Sequence, residues 1–226
     1  MTRVKVCGIR RMEDASLAVD LGANALGFVF WPSSPRFLEP DRARDIVDGL
    51  PPLVASVGVF VDQPPAFVED VARALKLSVV QLHGQEPVAD YVSRGLRVLK
   101  SVAVGSDGAA EAAVSRLPGD VGVLLDAVDP VRRGGTGRTI DWDLAGRLAR
   151  TRPVILSGGL TADNVREAID AVRPFAVDVS SGVESGPGVK DADKLRAFFA
   201  AVSRGSAATE PRELRGALGS AVRMND

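Results

Sequence analysis

The segment Val4-Lys5-Val6-Cys7-Gly8-Ile9-Arg10 carries the chain's only cysteine at the end of a short β-like run, with a glycine directly after it. In many proteins a free cysteine is simply a small buried apolar residue. A thiol at a strand exit also faces whatever binds beyond the turn, and its thiolate accepts protons. Other reactive side chains stand at comparable points. In Val80-Gln81-Leu82-His83-Gly84, alternation puts Gln81 and His83, the single histidine, on one side. Leu124-Leu125-Asp126 ends an apolar run in a carboxylate, and Ala176-Val177-Asp178-Val179 holds another. Plain structural readings stand beside these: His83 as a hydrogen-bonded core residue, Asp126 as the cap of the next loop.

Three glycine-rich loops suit an anion. Ile155-Leu156-Ser157-Gly158-Gly159-Leu160 and Val179-Ser180-Ser181-Gly182-Val183-Glu184 each follow a strand-like run, as does Arg132-Arg133-Gly134-Gly135-Thr136-Gly137-Arg138 further upstream. Glycine lets backbone N–H groups converge on a phosphate; for any one loop taken alone, a tight turn explains the glycines as well. Prolines stiffen Trp31-Pro32-Ser33-Ser34-Pro35-Arg36-Phe37. Arg36 there is either a bidentate holder of a planar carboxylate or a solvated surface side chain.

Composition narrows the partners. The 226 residues include 28 basic and 29 acidic side chains, for a formal net charge of −1, which gives no electrostatic ground for a nucleic acid or an anionic membrane. One cysteine forbids an internal disulfide, and one histidine leaves no Cys/His metal cluster. Met1 leads straight into a strand-like run without a signal-peptide pattern, and no apolar stretch approaches the roughly 20 residues of a membrane span. A cytoplasmic protein with a small-molecule ligand is expected.

These reactive residues need a frame. β-branched runs at 3–7, 25–30, 54–59, 79–82, 98–102, 121–126, 153–156 and 176–179 alternate with segments of helical period. The helical segments lie at 12–21, 41–48, 65–75, 87–93, 109–116, 141–150, 162–171 and 192–202. Thr161 is predicted to cap the seventh helix, and prolines at 40, 65 and 87 suit helix starts. Alternating β and α units imply a parallel sheet with helices outside it. Eight such units favour closure into a single (β/α)8 TIM barrel, an α/β fold for which about 250 residues is typical. An open doubly wound sheet is disfavoured because no G-x-G-x-x-G follows the first strand.

In a barrel, all the strand exits named above open on one face, and the loops after the seventh and eighth strands form the usual phosphate site. Lys5 shares the inward parity of Cys7, one layer deeper. Residues 203–226 lack apolar periodicity. They are expected as a mobile tail, with a short helix at 213–222, beyond a catalytic barrel at 1–202.

As an ordered set, several segments resemble the phosphoribosylanthranilate isomerase family. They are Lys5-Val6-Cys7-Gly8-Ile9, Gly27-Phe28-Val29-Phe30, Ser34-Pro35-Arg36, Gly58-Val59-Phe60, Val80-Gln81-Leu82-His83-Gly84 and Leu124-Leu125-Asp126. The set continues with Gly134-Gly135-Thr136-Gly137 and Leu156-Ser157-Gly158-Gly159-Leu160, and closes with the run from Arg173 to Glu184. The resemblance implies a (β/α)8 enzyme of tryptophan biosynthesis using no metal or organic cofactor. Its substrate would be N-(5-phosphoribosyl)anthranilate, converted to 1-(2-carboxyphenylamino)-1-deoxyribulose 5-phosphate by an Amadori rearrangement.

By position, the resemblance makes Cys7 the general base and Asp126 the general acid. It implies that Arg36 pairs with the anthranilate carboxylate and that Gly158, Gly159, Ser181 and Gly182 hold the phosphate. Gly135 and Gly137 would close over the substrate, Asp178 would bind a ribose hydroxyl or anchor its own loop, and His83 would line the anthranilate pocket. A thiol's reference pKa of about 8.5 leaves some thiolate near neutrality, and a nearby cation raises that fraction. Asp126 needs an apolar or anion-rich setting to keep its proton. Monomer and homodimer are both compatible with the pattern.

Two other classes fit parts of it. A histidine-pathway or two-substrate aldose–ketose isomerase shares the architecture, but those families resemble one another in carrying an aspartate at the first strand exit. Indole-glycerol-phosphate synthase and the tryptophan synthase α-subunit share the phosphate loops without this cysteine–aspartate pair. A non-catalytic phosphate-binding barrel would keep the glycines and need neither proton donor nor acceptor.

Overall fold

The computed structural model describes residues 2–105, 108–127 and 140–203. Eight parallel strands close in sequence order into a barrel. They are β1 (Arg3–Cys7), β2 (Ala25–Val29), β3 (Ala55–Phe60), β4 (Val79–Leu82), β5 (Val98–Val104), β6 (Gly122–Ala127), β7 (Val154–Leu156) and β8 (Ala176–Val179). Each is followed by a helix: α1 (Met12–Asp20), α2 (Pro40–Asp48), α3 (Pro65–Ala74), α4 (Val88–Val92), α5 (Ala109–Arg116), α6 (Trp142–Thr151), α7 (Val165–Val172) and α8 (Ala192–Ser203). The TIM barrel read from the alternation is therefore the fold, with element ends displaced by a few residues. The loop at 132–138, with Gly135 and Gly137, and the expected tail with its helix at 213–222 lie outside the described residues, apart from Ser203, which ends α8.

Strand register decides which side chains enter the barrel. Lys5 pairs in register with Asp178 on β8 and with Ala25 on β2, and Cys7 lies opposite Gly27. Lys5, Cys7, Gln81, Asp126 and Asp178 thus point inward, while Val4, Val6, Leu26 and Phe28 go to the packed layer under the helices. Proline in the first turn starts α2 and α3, and the Asp141 carboxylate caps α6 by accepting from the N–H groups of Asp143 and Leu144. Thr161 does not cap α7. Ala162–Asn164 is a turn, the helix starts at Val165, and Asn164 Oδ1 instead accepts from the Thr161 N–H.

Between β8 and α8 the chain adds a one-turn 3-10 helix, Ser181–Val183, and a small antiparallel hairpin of β9 (Glu184–Gly186) and β10 (Val189–Lys190). Among the described residues, no helix is long and apolar enough to cross a membrane.

Candidate active site

Cys7 leaves β1 at the C-terminal mouth of the barrel and is buried. Gly27 makes room for it: a Cβ at that position would come within 2.8 Å of the Cys7 sulfur. Val29, Val59 and the half-buried Trp31 pack around the thiol as a small apolar patch. Behind it, Lys5 Nζ pairs with Asp178 Oδ1 at 2.9 Å, both side chains buried. Burial would lower the Lys5 pKa, but Asp178 and Cys7 more than offset it, so Lys5 is held as a firm cation. For Cys7 burial dominates in the other direction. It pushes the thiol above its ordinary value, with Asp178 adding and Lys5 and Lys190 opposing. The eased ionisation expected beside a cation is therefore outweighed by desolvation.

The hairpin β9–β10 supplies two residues that the sequence did not single out. Lys190, fully buried, donates to the backbone carbonyls of Cys7 (2.6 Å) and Ser180 (3.2 Å) and to Glu184 Oε1 (2.8 Å). Glu184 in turn grips Arg36: Oε1 accepts from Nε at 2.9 Å and Oε2 from Nη2 at 2.6 Å. Burial raises the Glu184 pKa, yet Arg36 and Lys190 outweigh it and hold the carboxyl below its ordinary value. Burial keeps Lys190 below the usual lysine value. Arg36 is thus neither a solvated side chain nor an unengaged fork; one edge of its guanidinium is already fixed. The signal for this hairpin was Gly186-Pro187-Gly188, a turn sequence between two short runs.

Across the mouth, Asp126 leaves β6 with its Oδ1 accepting from the Ala127 N–H at 2.8 Å. Its Oδ2 lies 3.5 Å from His83 Nε2 at the exit of β4. Burial raises the Asp126 pKa, with Asp178 adding and His83, the Ala127 N–H and Lys5 opposing. Burial likewise lowers that of His83. The β4 exit is stitched down by Glu86, buried in the loop beyond it, which accepts from the N–H groups of Gly84 and Asp62 and from Lys100 Nζ at 2.8 Å. Nothing in the chain order near Glu86 marked it for this role.

The loops after β7 and β8 lie against each other. A Cβ on Gly182 would run into the Leu160 carbonyl oxygen, so only glycine lets the two loops approach so closely. Gly158 and Gly159 both have positive φ (+87° and +66°). Among the described residues no hydrogen bond occupies their N–H groups, while Asn164 Nδ2 fixes the Gly159 carbonyl. Asp178 is spent on Lys5 and, at 3.4 Å, on Ser157 Oγ, which ties β8 to the β7 loop. Among the described residues, no three His, Cys, Asp or Glu side chains are grouped to hold a metal ion.

This arrangement brings a thiol at the exit of β1, a carboxyl at the exit of β6 and the glycine-rich loops after β7 and β8 to the same end of the barrel. The chain matches the family described as N-(5'phosphoribosyl)anthranilate (PRA) isomerase over residues 4–201. A Geobacter sulfurreducens protein named N-(5'-phosphoribosyl)anthranilate isomerase is 50% identical over 201 residues, covering 88% of this chain and 97% of its own. The solved phosphoribosyl anthranilate isomerase of Thermotoga maritima superposes with a TM-score of 0.81 at 46% identity, over 88% of this chain and 97% of its own. Another solved phosphoribosyl anthranilate isomerase, in complex with reduced 1-(o-carboxyphenylamino)-1-deoxyribulose 5-phosphate, superposes at 0.78 with 44% identity over the same shares of the two chains.

Proposed function

The chain belongs to the N-(5'-phosphoribosyl)anthranilate isomerase family, and from that premise we propose how its own residues carry the reaction. The activity is the isomerisation of N-(5-phosphoribosyl)anthranilate to 1-(2-carboxyphenylamino)-1-deoxyribulose 5-phosphate in tryptophan biosynthesis. Protonated Asp126 delivers its proton to the furanose ring oxygen, the C1–O bond opens, and the amine nitrogen completes a Schiff base. The Cys7 thiolate then removes the proton from C2 to give an enolamine. The Cys7 thiol then returns its proton at C1 while the Asp126 carboxylate takes the proton of the C2 hydroxyl, which leaves the ketone and restores the thiolate and the carboxylic acid.

The observation that carries this reading is the pairing of a buried thiol and a buried carboxyl, whose burial favours its protonated form, at the exits of β1 and β6. A mere phosphate binder has no use for the pair. Gly158, Gly159, Ser181 and Gly182 take the phosphate in the cradle between the two final loops. Val29, Val59 and Trp31 form the apolar side that suits an aromatic ring. Arg36 meets the anthranilate carboxylate with its Nη1/Nη2 edge while Glu184 keeps the other. Asp178 keeps Lys5 in place beside Cys7 and ties its strand to the β7 loop through Ser157, the anchoring role rather than the ribose contact. The catalytic unit is the barrel, and a thiol that works as a base suits a reducing compartment such as the cytoplasm.

Complementation of a tryptophan auxotroph lacking this isomerase tests the reading. Growth is expected with the wild-type chain and none with Cys7→Ala; growth with that variant, or none with the wild type, sinks it.

A further inference from the structure

His83 reaches from the exit of β4 toward Asp126, and its two ring nitrogens have different neighbours. Nε2 faces Asp126 Oδ2 at 3.5 Å. Nδ1 lies 3.2 Å from the side-chain amide nitrogen of Gln81, two residues back on the same face of the strand. With the amide nitrogen on this side Gln81 donates and Nδ1 accepts, which puts the proton of a neutral ring on Nε2. Gln81 is 2% exposed, and its Oε1 has no hydrogen-bond partner among the described residues.

The charged groups facing the ring are Asp126 on β6, Asp178 on β8, Glu86 in the loop after β4 and Lys5 on β1. Burial outweighs the three carboxylates and holds His83 below its ordinary pKa, so the ring is neutral at pH 7. An acid that gives up its proton in the ring-opening step leaves a carboxylate in a desolvated site, where Oδ1 already has the Ala127 N–H and, among the described residues, Oδ2 has the imidazole in front of it.

We propose that Gln81 and His83 are positioning residues for the acid: Gln81 fixes the Nε2–H tautomer, and that N–H steadies the Asp126 carboxylate after its proton has passed to the substrate's ring oxygen. The logic is that of other catalytic sites in which a third group selects the tautomer of a histidine. The proposal deepens the reading of Asp126 as the general acid and rests on it.

The single histidine makes the test direct, because 15N-histidine labelling gives one pair of ring signals. In the wild type at neutral pH, Nε2 is expected protonated and Nδ1 bare, with both signals moving as Asp126 ionises. Asp126→Asn should remove that movement, together with one corner of the kcat/KM–pH profile. Loss of a donor to the charged form raises an acid's pKa, so that corner should move to higher pH in His83→Ala. His83→Gln, which restores a side-chain N–H, should recover part of the movement. Gln81→Leu should scramble the tautomer and move the corner less.

The fall in kcat should stay below the roughly 10²–10⁴-fold worth of a general acid. A wild-type spectrum with the proton on Nδ1 overturns the proposal, and it needs no variant to fold. So does a corner that stays fixed in both His83→Ala and Gln81→Leu. A corner that survives Asp126→Asn is a different failure: Asp126 is then not the acid, and the inference falls with that reading whatever the tautomer.

Discussion

Cys7 has Lys5 and Lys190 beside it, and the carboxylates around those lysines, Asp178 and Glu184, are each held in an ion pair. Asp126, across the mouth, has no lysine or arginine at ion-pair distance among the described residues and faces a neutral imidazole. In the proposed mechanism the difference follows the direction in which each proton travels. A base needs its anion tolerated, and cations close by do that. An acid needs its proton retained, and a dry site without a cation does that. Burial of the sulfur nevertheless outweighs both lysines, so the thiolate that acts is the minority form of Cys7.

The largest break in the comparison is to remove the base. Cys7→Ser keeps the size and raises the pKa of the proton acceptor far beyond reach, so kcat should fall by roughly 10²–10⁴, the usual worth of a positioned general base. Steady-state kinetics on purified protein decide it, and turnover near the wild-type level would return Cys7 to the role of core filler.

A second variant makes the base wall resemble the acid wall. Lys5→Met leaves Asp178 buried without its cation, which should cost about 3–5 kcal/mol of stability. The Cys7 thiol should also become harder to ionise, read as a shift to higher pH in its alkylation rate. The double variant Lys5→Met/Asp178→Asn sharpens the point. Removing both charges should restore most of the stability, since a buried pair often contributes little net, while thiol reactivity stays low. A loss under about 1 kcal/mol for the single variant would mean that Asp178 is not truly desolvated.

The two walls also differ in how far the sequence revealed them. Short β-branched runs separated by segments of helical period identified every barrel strand and helix, because strands of a parallel sheet buried on both faces read as continuous apolar stretches. Cys7, Gln81, His83 and Asp126 were legible from parity at strand exits. Lys190 and Glu184 were not: in the chain they look like ordinary charged residues beside a Gly-Pro-Gly turn. Only the folding of β9–β10 over the end of β1 buries them. Thr161 failed as a helix cap for a similar reason, since Asn164 takes the turn ahead of α7 and the helix starts later. Local signals find elements and strand exits; ion pairs set by tertiary closure leave no local mark.

The smallest effect is also the one in which the two walls should respond with opposite sign. Glu184 has a folded pKa below its reference of 4.5, so its contribution to stability is complete above about that value and is lost as pH falls through the lower folded value. Asp126 has a folded pKa above its reference of 3.8. The folded protein therefore binds the proton more tightly than the unfolded chain, and stability rises as pH falls from the raised value toward 3.8. Neither Glu184→Gln nor Asp126→Asn titrates at these positions, so each variant isolates one wall. In urea unfolding between pH 7 and pH 3, the wild type should gain stability relative to Asp126→Asn on acidification, and lose it relative to Glu184→Gln at the acid end. A single titrating group changes stability by at most about 1.4 kcal/mol per pH unit, so the two walls are separated by the sign of the slope. Slopes of the same sign for the two variants would mean that both carboxyls sit in equivalent surroundings, and the division of the mouth into a proton-holding and a proton-accepting wall would not stand.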